Sequence, residues 1–180
     1  MEAIACIKGR RSIREFEDKP IARELMAEIV EAASFAPSWK NTQITRYIVV
    51  EDKADIDLLA DNCVLGFAPN AATMKRAAAL VLVTMISGRS GYERDGSYST
   101  SKGDRWEMFD AGIATQTFCL AAHDKGLGTV ILGIFDEDKV MSLFGLPQGQ
   151  KLAAILAVGY PKGEVTAPPR KPVETLLSYR

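Results

Sequence analysis

Apolar residues recur at intervals of three and four through Leu25, Met26, Ile29, Val30 and Ala33, with Glu24, Glu28 and Glu31 between them. This spacing predicts an amphipathic helix over Pro20–Phe35, with Pro20 suited to its start and Pro37 stopping it. A shorter helix is expected over Glu2–Lys8, carrying Ile4 and Ile7 on one side and ended by Gly9. Lys53–Asn62 and Asp136–Phe144 also read as helices, whereas Phe67–Met74 has no clear period. Tyr47–Val50, Val130–Leu132 and Leu152–Val158 read as strands, and Ala78–Ile86 is apolar throughout, the pattern of a strand buried on both faces. Asp104–Lys125 predicts the longest helix, nearly apolar around its whole circumference from Phe109 to Ala122. A helix of that kind has to be covered on every side, and in so small a chain the cover for one face points to a partner subunit.

Between these elements lie two stretches of loop chemistry. Ala36-Pro37-Ser38-Trp39-Lys40-Asn41-Thr42-Gln43 joins a helix to a strand with small hydroxyl and amide side chains, which serve either as plain turn residues or as hydrogen-bonding groups for a ligand ring. Ser87–Gly103 is rich in glycine and serine and long enough for a lid or entrance rim, with Tyr92, Tyr98 and Trp106 available to line it.

Length and composition then narrow the classes. The chain has 180 residues, expected to form a single domain over 1–180, with 47% apolar and 25% charged residues, ordinary for a globular protein. The 22 basic and 23 acidic residues nearly cancel, which argues against a whole surface built for nucleic acid. Cys6, Cys63 and Cys119 stand far apart among apolar neighbours and only His123 could assist them, so they read as core thiols rather than metal ligands. His123, in an apolar helix, reads as a packed residue. The acidic second residue and short apolar run at the N-terminus lack the form of a signal peptide, and no segment has the run of apolar residues needed to span a bilayer. A reducing, cytoplasmic setting and no membrane partner are therefore expected.

Against this neutral background Gly9-Arg10-Arg11-Ser12-Ile13-Arg14-Glu15-Phe16 stands out, echoed by Pro168-Pro169-Arg170-Lys171-Pro172. Three arginines and a serine packed so closely either form a solvated basic turn or face a fixed anion. A phosphate suits them, because guanidinium forks meet phosphate oxygens bidentately and a hydroxyl completes the cage.

Four stretches in order carry a resemblance to the nitroreductase family of flavoproteins: Arg-Arg-Ser-Ile-Arg-Glu-Phe, the Ala-Pro-Ser-x-x-Asn-x-Gln loop, the small-residue helix from Asp110 into Gly126-Leu127-Gly128-Thr129, and Gly159-Tyr160-Pro161 followed by Arg170-Lys171-Pro172. The resemblance implies an α+β fold with a central, mainly antiparallel sheet flanked by helices, and an intertwined homodimer holding FMN at the subunit interface. It implies that Arg10, Arg11, Ser12 and Arg14 hold the FMN phosphate and ribityl chain, with Arg170 and Lys171 closing over the phosphate. It further implies that Pro37, Ser38, Asn41 and Gln43 reach the flavin partly from the other subunit, and that the backbone at Ile131 and Gly133 lies against the ring. No side chain is then needed as a catalyst, because the cofactor carries the chemistry. The implied activity is ping-pong hydride transfer from NAD(P)H to a nitroaromatic, quinone or related acceptor. Trp39, Phe67, Tyr92, Tyr98 and, at the flavin edge, Asn70 are further residues the substrate could meet. Alternatives from other classes are the same fold acting on reduced flavin or as a flavin-dependent dehydrogenase or oxidase, and a cofactor-less binding module.

Overall fold

The computed structural model describes residues 1–180. In chain order the elements are α1 (Ala3–Gly9), α2 (Arg23–Ser34), β1 (Thr45–Val50), α3 (Lys53–Asn62), α4 (Ala68–Arg76), β2 (Ala79–Ile86), α5 (Arg105–Asp124), β3 (Gly128–Leu132), α6 (Glu137–Phe144), β4 (Gln150–Gly159) and a single turn, α7 (Val173–Leu176). The strands form one sheet in the order β1-β2-β4-β3, every pair antiparallel, with helices on both faces. This is the α+β arrangement expected from the sequence.

Strand alternation divides the core into two layers. Leu80 and Leu82 of β2, with Ile155 and Ala157 of β4, pack with Ile56, Leu59 and Met74 from α3 and α4. The intervening Val81, Val83, Leu156 and Val158 pack on the other face with Met26 and Ile29 of α2 and Phe118, Cys119 and Ala122 of α5. Successive side chains of a strand point to opposite faces, so the unbroken apolar run of β2 is the signature of a sheet covered on both sides. Each such buried aliphatic side chain contributes about 1.5–3 kcal/mol relative to exposure.

Two elements differ from the pattern-based expectation. α2 begins at Arg23 rather than Pro20, because the chain is still extended at Ala22 (φ −63°, ψ 137°). The segment without a clear period forms α4, which Pro69 opens from its first turn, where the missing N–H costs nothing. α5 is covered within this chain along one side only, through Glu107, Asp110, Ala111, Ala114, Thr115, Phe118, Cys119 and Ala122. Its opposite stripe is open, with Met108 and Phe109 50% and 58% exposed.

The N-terminal segment is stitched to the β3 edge. Ser12 bridges Thr129, the Ile13 N–H donates to the Thr129 carbonyl (3.0 Å), and the Glu17 N–H donates to the Tyr160 carbonyl (2.9 Å). Two paired glycines make room for this. A Cβ on Gly128 would lie 2.6 Å from Ile13 Cγ1, and one on Gly159 would lie 2.8 Å from Phe16 Cδ1. Ile13 and Phe16 are buried as a result. At the far end, every residue from Lys162 to Arg180 is exposed. No helix is long and apolar enough to cross a membrane.

Candidate functional site

Burying Ile13 and Phe16 fixes the residues between α1 and α2 against the β3 edge by side-chain packing, and the basic residues ride on that anchored backbone. Arg10, Arg11 and Ser12 are half-buried, while Arg14 is exposed. Arg11 Nη1 donates to the carbonyls of Lys8 (2.6 Å) and Arg10 (2.8 Å), tying the turn to the C-terminal end of α1. None of the three arginines forms an ion pair with a carboxylate. Arg10 Nε is buried and has no acceptor at all. A buried donor left unmade costs about 1–3 kcal/mol, more when charged, so this group is short of an acceptor.

His123, near the C-terminal end of α5, sits beneath this turn. A Cβ on Gly9 would come within 3.1 Å of its Nε2. Burial holds the imidazole pKa below its ordinary 6.5, and the charges of Arg10 and Arg11 push it further down, against an opposing pull from Asp124. The Cys119 thiol nearby is raised, chiefly by burial. All three cysteines are buried and free.

Near the end of β3 lie Ile131, which is 48% exposed, and, just past the strand, the open Gly133, around which no atom would lie within 4 Å of an added Cβ. Arg170 and Lys171 lie on the exposed C-terminal tail and form neither hydrogen bonds nor ion pairs within the chain.

Pro37, Ser38, Asn41 and Gln43 occupy a second location, the loop entering β1. Since β1 and β3 are the two edges of the sheet, this loop stands three strand spacings, roughly 14 Å, across from the β3 edge. One chain alone therefore keeps the arginines and the Ser38 loop apart. The loop's backbone is unusual: Lys40, Asn41 and Gln43 all have left-handed φ values, 45°, 54° and 48°. The Gln43 N–H donates to Ser38 Oγ (2.9 Å) across the turn. Pro37, Ser38 and Gln43 wall a cleft of about 340 Å³, closed on its other sides by α2, Arg46, Tyr47 and Asp110. Burial pushes the Tyr47 hydroxyl up to about 12.

Two residues with no evident role in the sequence turn out to be central. Glu107 and Asp110 are 1% and 3% exposed on a helix whose neighbouring positions are apolar. Glu107 Oε1 accepts the Gly88 N–H (2.6 Å), and Asp110 Oδ2 accepts the Trp39 N–H (2.9 Å) and the Ser90 hydroxyl (2.6 Å). Carboxylates on a long apolar helix were the available signal, since such groups stay buried only when partnered.

Among the proposed rim aromatics, Tyr92 and Tyr98 bridge each other in a small hairpin with ring centroids 4.9 Å apart, and Trp106 packs between Trp39 (4.9 Å) and Phe109 (5.3 Å). Asn70 Nδ2 donates to the Ile134 carbonyl (3.3 Å), and Phe67 is exposed. No group of three or more His, Cys, Asp or Glu side chains is placed to hold a metal ion.

Comparison with known proteins bears on this arrangement. The model of the nitroreductase family matches residues 7–78 and 65–160. A protein of Archaeoglobus fulgidus provisionally named an NADH dehydrogenase/NAD(P)H nitroreductase is 32% identical over 168 residues, 91% of this chain and 87% of that protein. The FMN reductase [NAD(P)H] of Bacillus subtilis is 29% identical over 184 residues, 97% of this chain and 72% of that protein. Among solved structures, a provisionally named nitroreductase of Desulfovibrio desulfuricans in complex with FMN superposes with a TM-score of 0.78 at 26% identity, covering 100% of this chain and 97% of that one.

Proposed function

The chain belongs to the nitroreductase family, and on that premise we propose that it is an FMN-dependent NAD(P)H oxidoreductase, active as a homodimer, that reduces nitroaromatic, quinone or related small acceptors. The observation that carries the reading is the set of three arginines without carboxylate partners, one of them with a buried, unsatisfied Nε. A phosphomonoester with close to two negative charges fits that donor set in charge and in hydrogen-bonding geometry. The residues present therefore suit the FMN phosphate.

In this reading Arg10, Arg14 and Ser12 hold the phosphate and ribityl chain, while Arg11, already committed in part to the Lys8 and Arg10 carbonyls, shapes the turn and adds charge. Arg170 and Lys171, exposed and without partners in the chain, supply further cations to the same phosphate. Ile131 and Gly133 offer backbone and an open face to the ring, with no Cβ at 133 to stand in the way. Ser38, Asn41 and Gln43 provide hydrogen bonds to the ring edge, and their position on the opposite sheet edge is met if they serve the site of a second copy. Bound there, FMN would supply the redox chemistry, accepting a hydride from NAD(P)H and returning reducing equivalents to the acceptor in a separate half-reaction. The chain's own part is to bind, orient and keep the ring dry.

The test is NADH and NADPH oxidation by FMN-loaded protein with menadione or a nitrofuran as acceptor. Turnover with parallel double-reciprocal plots is expected. A flavin-loaded protein that oxidises neither nucleotide in the presence of these acceptors contradicts the reductase reading.

A further inference from the structure

One carboxylate oxygen fastens both ends of the strained loop. Asp110 lies near the start of α5, buried, and its Oδ2 accepts the Trp39 N–H at 2.9 Å and the Ser90 hydroxyl at 2.6 Å. Ser90 Oγ is in turn 2.8 Å from Thr42 Oγ1. A carboxylate only accepts, so the Ser90 proton points to Asp110 and the remaining contact is donated by Thr42; the relay runs Thr42 to Ser90 to Asp110. Trp39 and Thr42 bracket Lys40 and Asn41, two of the residues with left-handed backbone. Such conformations persist where surrounding structure over-determines them, and here the over-determining group is a carboxylate on a neighbouring helix. Lys40 adds a second tie, donating to both carboxylate oxygens of Glu93 (3.0 and 3.1 Å) on the 87–103 segment.

We propose that Asp110 is a positioning residue which, through the Trp39 N–H and the Ser90–Thr42 hydroxyl relay, sets the Ser38–Gln43 loop in its flavin-contacting conformation and couples it to the 87–103 segment. The inference rests on the flavin reading above. Asp110 itself touches no cofactor in this scheme; it acts by sparing FMN the work of ordering the loop on binding.

The experiment compares wild-type, Asp110→Asn, Asp110→Ala, Ser90→Ala and Thr42→Val proteins by two readouts. One is the FMN dissociation constant, from quenching of free-FMN fluorescence at a temperature where every protein is folded by circular dichroism. The other is amide exchange of Trp39 in the apoprotein. Asp110→Asn keeps a carbonyl oxygen able to accept both donors and is expected to bind FMN within about threefold of wild type, since only the charge assistance is lost. Asp110→Ala is expected to weaken FMN roughly tenfold or more, the scale of a lost charge-assisted hydrogen bond, and to speed Trp39 exchange. Ser90→Ala and Thr42→Val, which remove single hydroxyls with little risk to folding, should weaken FMN in the same direction while leaving the Trp39 amide protected. FMN binding equally to wild type, Asp110→Ala and Ser90→Ala, with Trp39 exchange unchanged, overturns the inference about Asp110. Failure of the wild-type protein to bind FMN overturns instead the flavin reading on which it rests.

Discussion

Arg10 is the residue on which the account leans hardest, because its buried Nε lacks an acceptor and no carboxylate offsets its charge. Replacing Arg10 or Arg14 by alanine is expected to weaken FMN binding by about 10- to 100-fold each, the range of a charged hydrogen bond, with little loss in apoprotein melting temperature. Calorimetric titration of each variant checks this, and unchanged affinity shows that the cluster serves something else. His123 makes a separate prediction. Its pKa is held below 6.5 by burial first and then by Arg10 and Arg11, so the folded state favours the neutral ring. His123 therefore leaves stability unaffected well above pH 6.5 and costs stability as pH falls from 6.5 through the folded-state value. His123→Gln should flatten that part of the stability profile. A phosphate bound beside Arg10 and Arg11 offsets their charge, so the imidazole pKa followed by proton NMR should rise when FMN is added. At this scale the arginines were legible in the sequence, since a knot of like charge needs no tertiary information to be noticed. Asp110 was not: its partners Trp39 and Ser90 lie 71 and 20 residues away, and only the fold reveals that a carboxylate is spent on a backbone N–H.

At the level of elements, the segment between α1 and α2 is held against the sheet by close packing over glycine. Gly128→Ala would place a Cβ 2.6 Å from Ile13 Cγ1 and 2.7 Å from its Cβ, so the segment carrying Arg10–Arg14 has to move outward. The expected cost is about 1–3 kcal/mol in urea unfolding, with weakened FMN binding as the segment shifts. Wild-type stability in this variant would show the stitch to be slack. Periodicity located most elements here because burial, not propensity, decides them: β2 read as doubly buried, and it separates the two core layers. The start of α2 was misplaced because Pro20 suits a first turn without compelling one. α4 escaped because its nine residues carry little one-sided apolar pattern, with only Thr73 and Met74 buried. The hairpin within 87–103 was legible as turn-rich loop but not as the Tyr92–Tyr98 pairing, which depends on backbone hydrogen bonds such as Glu93 N–H to the Ser97 carbonyl (2.8 Å).

Taken as a whole, the molecule leaves several apolar stretches open in a single chain, among them Ile4 and Ile7 of α1 and two that bear on assembly. One is the outer stripe of α5, with Met108 and Phe109 half or more exposed beside Ile113. The other is the C-terminal tail, where Val173, Leu176 and Tyr179 are exposed. Exposed apolar side chains grouped on one element suit an association surface. The proposed homodimer would also give each flavin site the Ser38 loop from the opposite sheet edge. Sedimentation velocity should therefore show a dimer, and Phe109→Glu with Ile113→Glu should yield monomers that retain helical circular dichroism but lose FMN. A variant that stays dimeric and flavin-bound places the interface elsewhere. The sequence suggested such a partner because a helix apolar on all sides needs cover that so small a chain does not supply.

The central claim is that this chain holds FMN as its working group, and the visible absorption spectrum of the purified protein, followed by identification of what heat denaturation releases, tests it most directly. The account predicts a yellow protein that sheds FMN in amounts equal to the chain. A colourless protein that takes up no FMN when the cofactor is added in excess would contradict it.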